Sequence, residues 1–152
     1  MAAWIVAGLL TPCDCEKGLK MMGNPDGLRS LAKYSKLSLE RIRYVPDADE
    51  TVVAATSRGI LFQMAFWSGP AVQAFAKLTE VIARLDPDGQ IELVVVDIDG
   101  SERLSAVSEF LGGVRGAGET AWVRNGSVIA TSGHGLNVQC FVPNTRLLLQ
   151  SP

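Results

Sequence analysis

The alternation of apolar and polar residues divides the middle of the chain into strands and a helix. Residues 60–66 and 91–98 are apolar runs of strand length, and four consecutive aliphatic residues in the second are typical of a strand buried on both faces. Between them, residues 71–85 carry apolar side chains at spacings of three and four, which predicts an amphipathic helix. This order predicts two parallel strands joined by a helical crossover.

Shorter elements precede this unit. Residues 26–34 predict a short helix, and residues 42–45 predict a short strand. A second helix is expected to begin at Asp47 or Asp49, which are good N-cap residues, and to end at Gly59.

Further elements follow it. Residues 101–111 predict a helix, and Asn125-Gly126 between two apolar runs predicts a β-hairpin, since both residues tolerate a positive φ. Residues 138–149 resemble a helix, which Pro143 should break, shorten or displace. The expected fold class is therefore α/β, with a central mixed β-sheet flanked by helices on both faces.

Composition limits the function classes. The 152 residues suffice for one domain, and a formal net charge of −2 gives no reason to expect a nucleic-acid partner. Residues 2–10 are apolar but lack a positively charged start and are too short to span a bilayer, so we expect no membrane partner and a cytoplasmic location. Residues 1–35 are predicted to be an N-terminal extension that packs on a domain formed by residues 36–152.

Two local motifs resemble the thioredoxin family. Trp67-Ser68-Gly69-Pro70-Ala71 is similar to the family's Trp-Cys-Gly-Pro-Cys, which also follows a buried strand and opens a helix. Residues 114–118, which precede the predicted hairpin, resemble the stretch that leads to the family's cis-proline. The resemblance covers about residues 40–135 and implies a thioredoxin-like fold.

The departures from the family pattern concern its redox chemistry. Ser68 and Ala71 stand where the family has its attacking and resolving cysteines. By the same resemblance, the family's buried acid falls on Phe62 and its cis-proline on Gly118. Four changes together predict a redox-inactive member with no catalytic residue, metal or cofactor at this position.

The resemblance then implies a non-catalytic binding module, such as an adaptor, an assembly factor or a chaperone-like protein. A protein or peptide partner is expected in the groove that thioredoxins use for substrates. The N–H groups at the helix start near Ala71 are expected to be free for a carboxylate or carbonyl. The residues expected to line the groove are Trp67, Ser68, Gly69, Pro70, Arg115, Gly118 and Glu119.

The cysteines leave other functions open. Cys13 and Cys15 form a Cys-x-Cys pair that would serve a thiol-disulfide oxidoreductase, the alternative to a binding module. With Cys140 and His134 they would make up a zinc ligand set, but no pattern in the sequence brings the four together. The remaining interpretation is that Cys13 and Cys15 are ordinary free thiols of the extension. A structural subunit with an oligomer interface is a further possibility, and the oligomeric state is not predicted.

Three other positions have two interpretations each. Trp67 is either a core residue or an exposed partner contact, whereas Trp122 on a central strand is expected in the core. Asp97 and Asp99, two residues apart at a strand end, are either paired carboxylates or turn residues.

Overall fold

The computed structural model describes residues 23–101, 104, 116–133 and 137–151. Short 3₁₀ turns at Leu39–Arg41 and Val138–Cys140 precede a strand and a helix, respectively. The helices within the described residues are α1 (Gly27–Ala32), α2 (Thr51–Ala54), α3 (Gly69–Leu85) and α4 (Phe141–Leu149). The strands are β1 (Ile42–Val45), β2 (Arg58–Met64), β3 (Glu92–Asp97), β4 (Thr120–Arg124) and β5 (Ser127–Thr131).

The strands form one five-stranded sheet in the order β1-β3-β2-β4-β5. β3 pairs in parallel with both β1 and β2, whereas β4 runs antiparallel to β2 and β5 antiparallel to β4. Ile60 in the middle of the sheet lies opposite Leu93 on one side and Trp122 on the other. The predicted mixed sheet is confirmed.

Alternate residues of the central strands build two cores, one on each face of the sheet. On the first face Phe62, Leu93 and Trp122 pack with Phe75 of α3 and Phe141 of α4. The second core, which includes α2, contains Val52, Val53, Leu61, Val94, Val96, Leu104, Ala121 and Val123. Helices therefore cover both faces, as predicted, and Trp122 is a core residue with no exposed surface.

The β-hairpin forms at the predicted place. Asn125 and Gly126 have φ angles of 51° and 74°, the left-handed values that a two-residue hairpin turn requires. The N–H group of Gly126 donates to the carbonyl of Thr56, two residues after α2, so the turn is also connected to the segment that follows this helix.

Gly59 does not end a helix. α2 stops at Ala54, and Gly59 lies inside β2, so that expectation was wrong. The reason is close packing, since a Cβ on Gly59 would lie 2.5 Å from Cγ2 of Thr56 and 2.9 Å from the carbonyl oxygen of Glu92.

Pro143 shortens the last helix, as expected. α4 begins at Phe141, which places Pro143 in its first turn, where the missing N–H group would have had no helical partner. The preceding residues form only a 3₁₀ turn.

The described part of the predicted extension contacts the domain. Leu31 of α1 is fully buried in the core on the α3 face, and the N–H group of Asn24 donates to Oδ2 of Asp97 at the end of β3 at 2.7 Å. The predicted helix at residues 101–111 and the extension before residue 23 fall outside the described residues, so a boundary after residue 35 stays a prediction. Within the described ranges no helix is long and apolar enough to cross a bilayer.

A buried carboxylate closes the loop between α3 and β3. Asp86 is 1% exposed and accepts hydrogen bonds from the N–H groups of Gln90 (2.9 Å) and Ile91 (2.8 Å). Nη2 of Arg41, in the turn before β1, lies 2.5 Å from Oδ2 of the same carboxylate. One side chain therefore fixes the start of β3 and the start of β1 together.

We predict that Asp86→Ala lowers the free energy of unfolding by about 3 kcal/mol, since it leaves Nη2 of Arg41 and two loop N–H groups without their acceptor. The matched control, Asp88→Ala, removes an exposed carboxylate from the same loop and should change stability by less than about 0.5 kcal/mol. Urea unfolding of both variants measures the difference. Equal stabilities would show that Asp86 is not a structural link.

Candidate functional site

The site lies at the edge of the sheet where β2 and β3 end. β2 stops at Met64 and α3 starts at Gly69, so residues 65–68 form a tight connection at this edge. Ala65 is buried and faces the core, whereas Trp67 is 67% exposed. Trp67 is therefore a surface residue and not part of the core, whereas its contact with a partner stays a prediction.

Two contacts hold the exposed indole in one place. Its Nε1 donates a hydrogen bond to Oδ2 of Asp99 at 3.1 Å. Its six-membered ring lies over Gly116, where an added Cβ would stand only 2.7 Å from Cη2. Gly116 has a φ of +73°, a second reason for glycine there. The Trp67 indole is thus held in one orientation while most of its surface faces solvent.

Asp99 is a site residue whose role the sequence did not indicate. It follows β3 by two residues, and β3 is the neighbour of β2 in the sheet. The ends of adjacent parallel strands meet at one edge, which is the signal that would have placed Asp99 beside Trp67.

Ser68, which the sequence resemblance aligns with the attacking cysteine, has a hydroxyl that is engaged within the chain. The side chain is buried, and Oγ donates to the carbonyl oxygen of Gly116 while accepting a long hydrogen bond of 3.4 Å from the N–H group of Ala71. A nucleophilic serine needs a base that takes its proton, and an amide carbonyl is not one. Ser68 is therefore a helix cap and a cross-link between loops.

The expectation of free N–H groups near Ala71 was wrong. Pro70, in the first turn of α3, has no N–H group, and the N–H of Ala71 points to Ser68 Oγ. The N–H group of Val72 donates to the carbonyl of Ser68. A serine directly before a helix is a common N-cap, and this was the sequence signal for the occupied N–H group of Ala71.

The opposite wall of the groove is mostly occupied by internal contacts. The carbonyl of Gly118 accepts from the Thr120 hydroxyl at 2.9 Å, and the carbonyl of Glu119 accepts from the N–H group of Gln63 at 2.9 Å. Gly118 and Glu119 are both buried, so among the described residues of this segment only Ala117 reaches the surface. Arg115, the other residue expected here, lies outside the described residues.

The changes at Phe62 and Gly118 are physically linked. Gly118 has a φ of +80°, and a Cβ there would lie 2.9 Å from Cζ of Phe62 and 2.8 Å from Cβ of Ala74 on α3. The Phe62 ring also packs against Phe75, with centroids 5.6 Å apart. The aromatic ring of Phe62 thus requires glycine at position 118.

Asp97 and Asp99 do not act as a carboxylate pair. Asp97 is buried and accepts hydrogen bonds from the N–H group of Asn24 (2.7 Å), from the hydroxyl of Tyr44 (3.0 Å) and from the N–H group of Asp99 (2.9 Å). Burial and, secondarily, the negative charge of Asp97 raise the pKa of the Tyr44 hydroxyl. The turn interpretation of these aspartates is therefore confirmed.

The cysteine hypotheses rest largely on undescribed residues. Cys13, Cys15 and His134 lie outside the described residues, so the redox pair and the zinc set remain hypotheses. Cys140 is a half-buried free thiol that donates to the carbonyl of Asn137 at 2.9 Å, and burial raises its pKa. In the described ranges, no three histidine, cysteine or acidic side chains are grouped closely enough to bind a metal.

Comparison with known proteins connects this geometry to a fold. No family model matches the sequence, and no curated protein matches it either. Solved structures do match. Mitochondrial thioredoxin 3 from Saccharomyces cerevisiae, in its oxidised form, is 18% identical over 77% of this chain and 97% of its own, with a TM-score of 0.55. This chain adopts the thioredoxin fold.

Two further thioredoxins give the same result. The thioredoxin from Trypanosoma brucei brucei is 16% identical, covering 72% of this chain and 92% of its own, with a TM-score of 0.55. Desulfothioredoxin from Desulfovibrio vulgaris Hildenborough, in its reduced form, is 19% identical over 70% and 95%, with a TM-score of 0.52. Identities this low establish the thioredoxin fold and not an activity.

We predict that Gly118→Ala destabilises the thioredoxin fold by about 3 kcal/mol, because the new methyl group meets Phe62 and Ala74 and the backbone is left-handed. In combination with Phe62→Leu the cost should be smaller than the sum of the single effects by about 1 kcal/mol. Chemical unfolding of the singles and the double measures this coupling.

Gly69→Ala is the control, since nothing lies within 4 Å of an added Cβ there. It should stay within about 0.5 kcal/mol of the wild type. Additive effects of Gly118→Ala and Phe62→Leu would contradict the physical link between the two positions.

Proposed function

We propose that this protein is a non-catalytic thioredoxin-fold binding module that captures a protein or peptide segment at the rim around Trp67. The rim is defined here as Trp67, Gly69, Pro70 and Ala117, the surface-accessible residues of the candidate site. Its role would be that of an adaptor, an assembly factor or a chaperone-like protein, in a cytoplasmic setting. The observation that carries the proposal is a tryptophan that is 67% exposed and yet held by Asp99 and Gly116.

An ordered, exposed tryptophan supports recognition for energetic reasons. Binding costs free energy when mobile side chains become fixed, and the indole of Trp67 is already fixed by its hydrogen bond to Asp99. Tryptophan is among the residues that contribute most to protein interfaces when a partner covers them. Gly69 and Pro70 beside it are exposed and add little bulk, so an extended segment has access to the ring.

The non-catalytic part of the proposal is supported by the contacts of Ser68. Its hydroxyl is committed to Gly116 and Ala71, and Ala71 has no functional group with which to resolve a covalent intermediate. Capture at this rim would therefore be reversible and would not pass through a disulfide. Of the carbonyls on the opposite wall, those of Gly116, Gly118 and Glu119 already accept internal hydrogen bonds, which favours side-chain contacts over strand addition.

We predict that Trp67→Ala removes binding without affecting the fold. Peptides would be selected from a displayed library with the wild-type protein, and their affinity measured by titration calorimetry. The variant should bind them at least about thirtyfold more weakly, as expected for an interface hot spot. Its stability should change by less than about 0.5 kcal/mol, since Trp67 is a surface residue.

Leu39→Ala is the matched control for this experiment. Leu39 is a large exposed apolar residue, 39% accessible, and it precedes β1 at the other end of the strands. Equal weakening of peptide binding by Leu39→Ala and Trp67→Ala would indicate non-specific binding to exposed apolar side chains. Peptide binding that is unaffected by Trp67→Ala would place the site elsewhere.

A separate assay tests the absence of thiol chemistry. In the dithiothreitol-coupled reduction of insulin, we expect the wild type to give no rate above background. The Cys13→Ser/Cys15→Ser double variant, measured beside it, should be indistinguishable. A clear rate that disappears in the double variant would establish the alternative, an oxidoreductase that uses Cys13 and Cys15, and would overturn the non-catalytic proposal.

A further inference from the structure

A cleft lies at the end of the sheet opposite Trp67. Two adjoining cavities of about 590 and 380 Å³ share Ser57, Arg58 and Gln90 as lining residues. The larger one extends past the starts of β1 and β3, and the smaller one reaches the hairpin at Asn125. Both open at the N-terminal ends of the parallel strands, so this cleft is separate from the rim.

Four arginines line the two cavities, and two of them are neutralised. Arg41 is paired with Asp86 at 2.5 Å, and Nε of Arg43 lies 2.6 Å from Oε1 of Glu92. These pairs belong to the larger cavity. Arg58 also lines the larger cavity, but Glu40 in the same lining offsets its charge, so that side offers a ligand no net positive charge.

The other two arginines, Arg58 and Arg124, have no carboxylate partner among the described residues. Nη1 of Arg58 donates to the neutral amide oxygen of Gln90 at 3.0 Å. Nη2 of Arg124 donates to the backbone carbonyls of Leu147 at 2.5 Å and of Gln150 at 2.9 Å, at the end of α4. Nε of Arg124 is buried without a hydrogen-bond partner. Arg58 therefore keeps unused donors, and so does Nη1 of Arg124, which has no hydrogen bond among the described residues; the buried Nε of Arg124 is not accessible to a ligand.

Arg58 and Arg124 are also direct neighbours. They face each other in the antiparallel register of β2 and β4, so their side chains leave the sheet on the same face. Like charges in this position repel each other, which is destabilising unless an anion lies between them. The smaller cavity that they line contains no carboxylate, although the whole chain has a net charge of −2.

We propose that the smaller cavity is a binding site for a phosphate group, held between Arg58 and Arg124. A phosphate carries close to two negative charges at neutral pH and so compensates both guanidinium groups, whereas a carboxylate compensates one. Ser57 and Asn125 also line the cavity, and each has a side chain that is able to donate a further hydrogen bond. The larger cavity next to it has room for the rest of a phosphate monoester.

The test measures the affinity of the full-length protein for inorganic phosphate, phenyl phosphate and acetate by titration calorimetry at constant ionic strength. We expect both phosphates to bind and acetate to bind at least roughly tenfold more weakly. Tighter binding of phenyl phosphate than of inorganic phosphate would identify a phosphoryl group on a larger ligand, and equal affinity would identify the free ion; either supports the site. Failure of both to bind overturns it.

Variants locate the site. Arg58→Gln should weaken phosphate binding by roughly tenfold or more, while Arg29→Gln, at a side chain that is 82% exposed on α1, should leave it unchanged. Arg58→Glu places a carboxylate opposite Arg124, so it should abolish phosphate binding and raise the melting temperature. Loss of binding through misfolding would lower it instead. Equal weakening by Arg29→Gln and Arg58→Gln would show an adventitious ion only.

Discussion

The hydrogen bond from the Ser68 hydroxyl to the carbonyl of Gly116 is the constraint on which the candidate site depends. It joins the start of α3 to the segment that enters β4, so two loops from distant parts of the chain become one surface. Gly116 is thereby held under the Trp67 ring, and Asp99 accepts a hydrogen bond from the Nε1 edge of that ring. The hydroxyl of Ser68 is thus a structural link, and it holds in place the loop on which the exposed Trp67 ring rests.

A second link operates beneath the rim. Phe62 fills the space between β2 and α3 against Phe75, and Gly118 makes room for it by having no side chain. The residues at positions 62 and 118 therefore depend on each other and form one packing arrangement. An acid at position 62 would now face an aromatic and aliphatic surrounding, where an isolated charge is strongly disfavoured.

The thioredoxin fold was accessible from the sequence because its strongest signals are local. The aliphatic run of β3, the helical spacing in α3 and the Asn125-Gly126 turn each depend on neighbours in the chain. What failed or was missed depends on distant contacts. Gly59 lies in a strand because its backbone packs closely against Glu92. Asp99 accepts a hydrogen bond from Trp67 from beyond the end of the neighbouring strand. The N–H group of Ala71 in the first turn of α3 finds its acceptor in the Ser68 side chain.

The chemistry of the cross-link at Ser68 also sets how the rim responds to its surroundings. A thiol at this position would be converted between reduced and oxidised forms, and its hydrogen bonding would change with each conversion. A hydroxyl has no such redox states in the cell. The position of the Trp67 ring over Gly116 therefore depends on a hydroxyl that has no redox chemistry of its own.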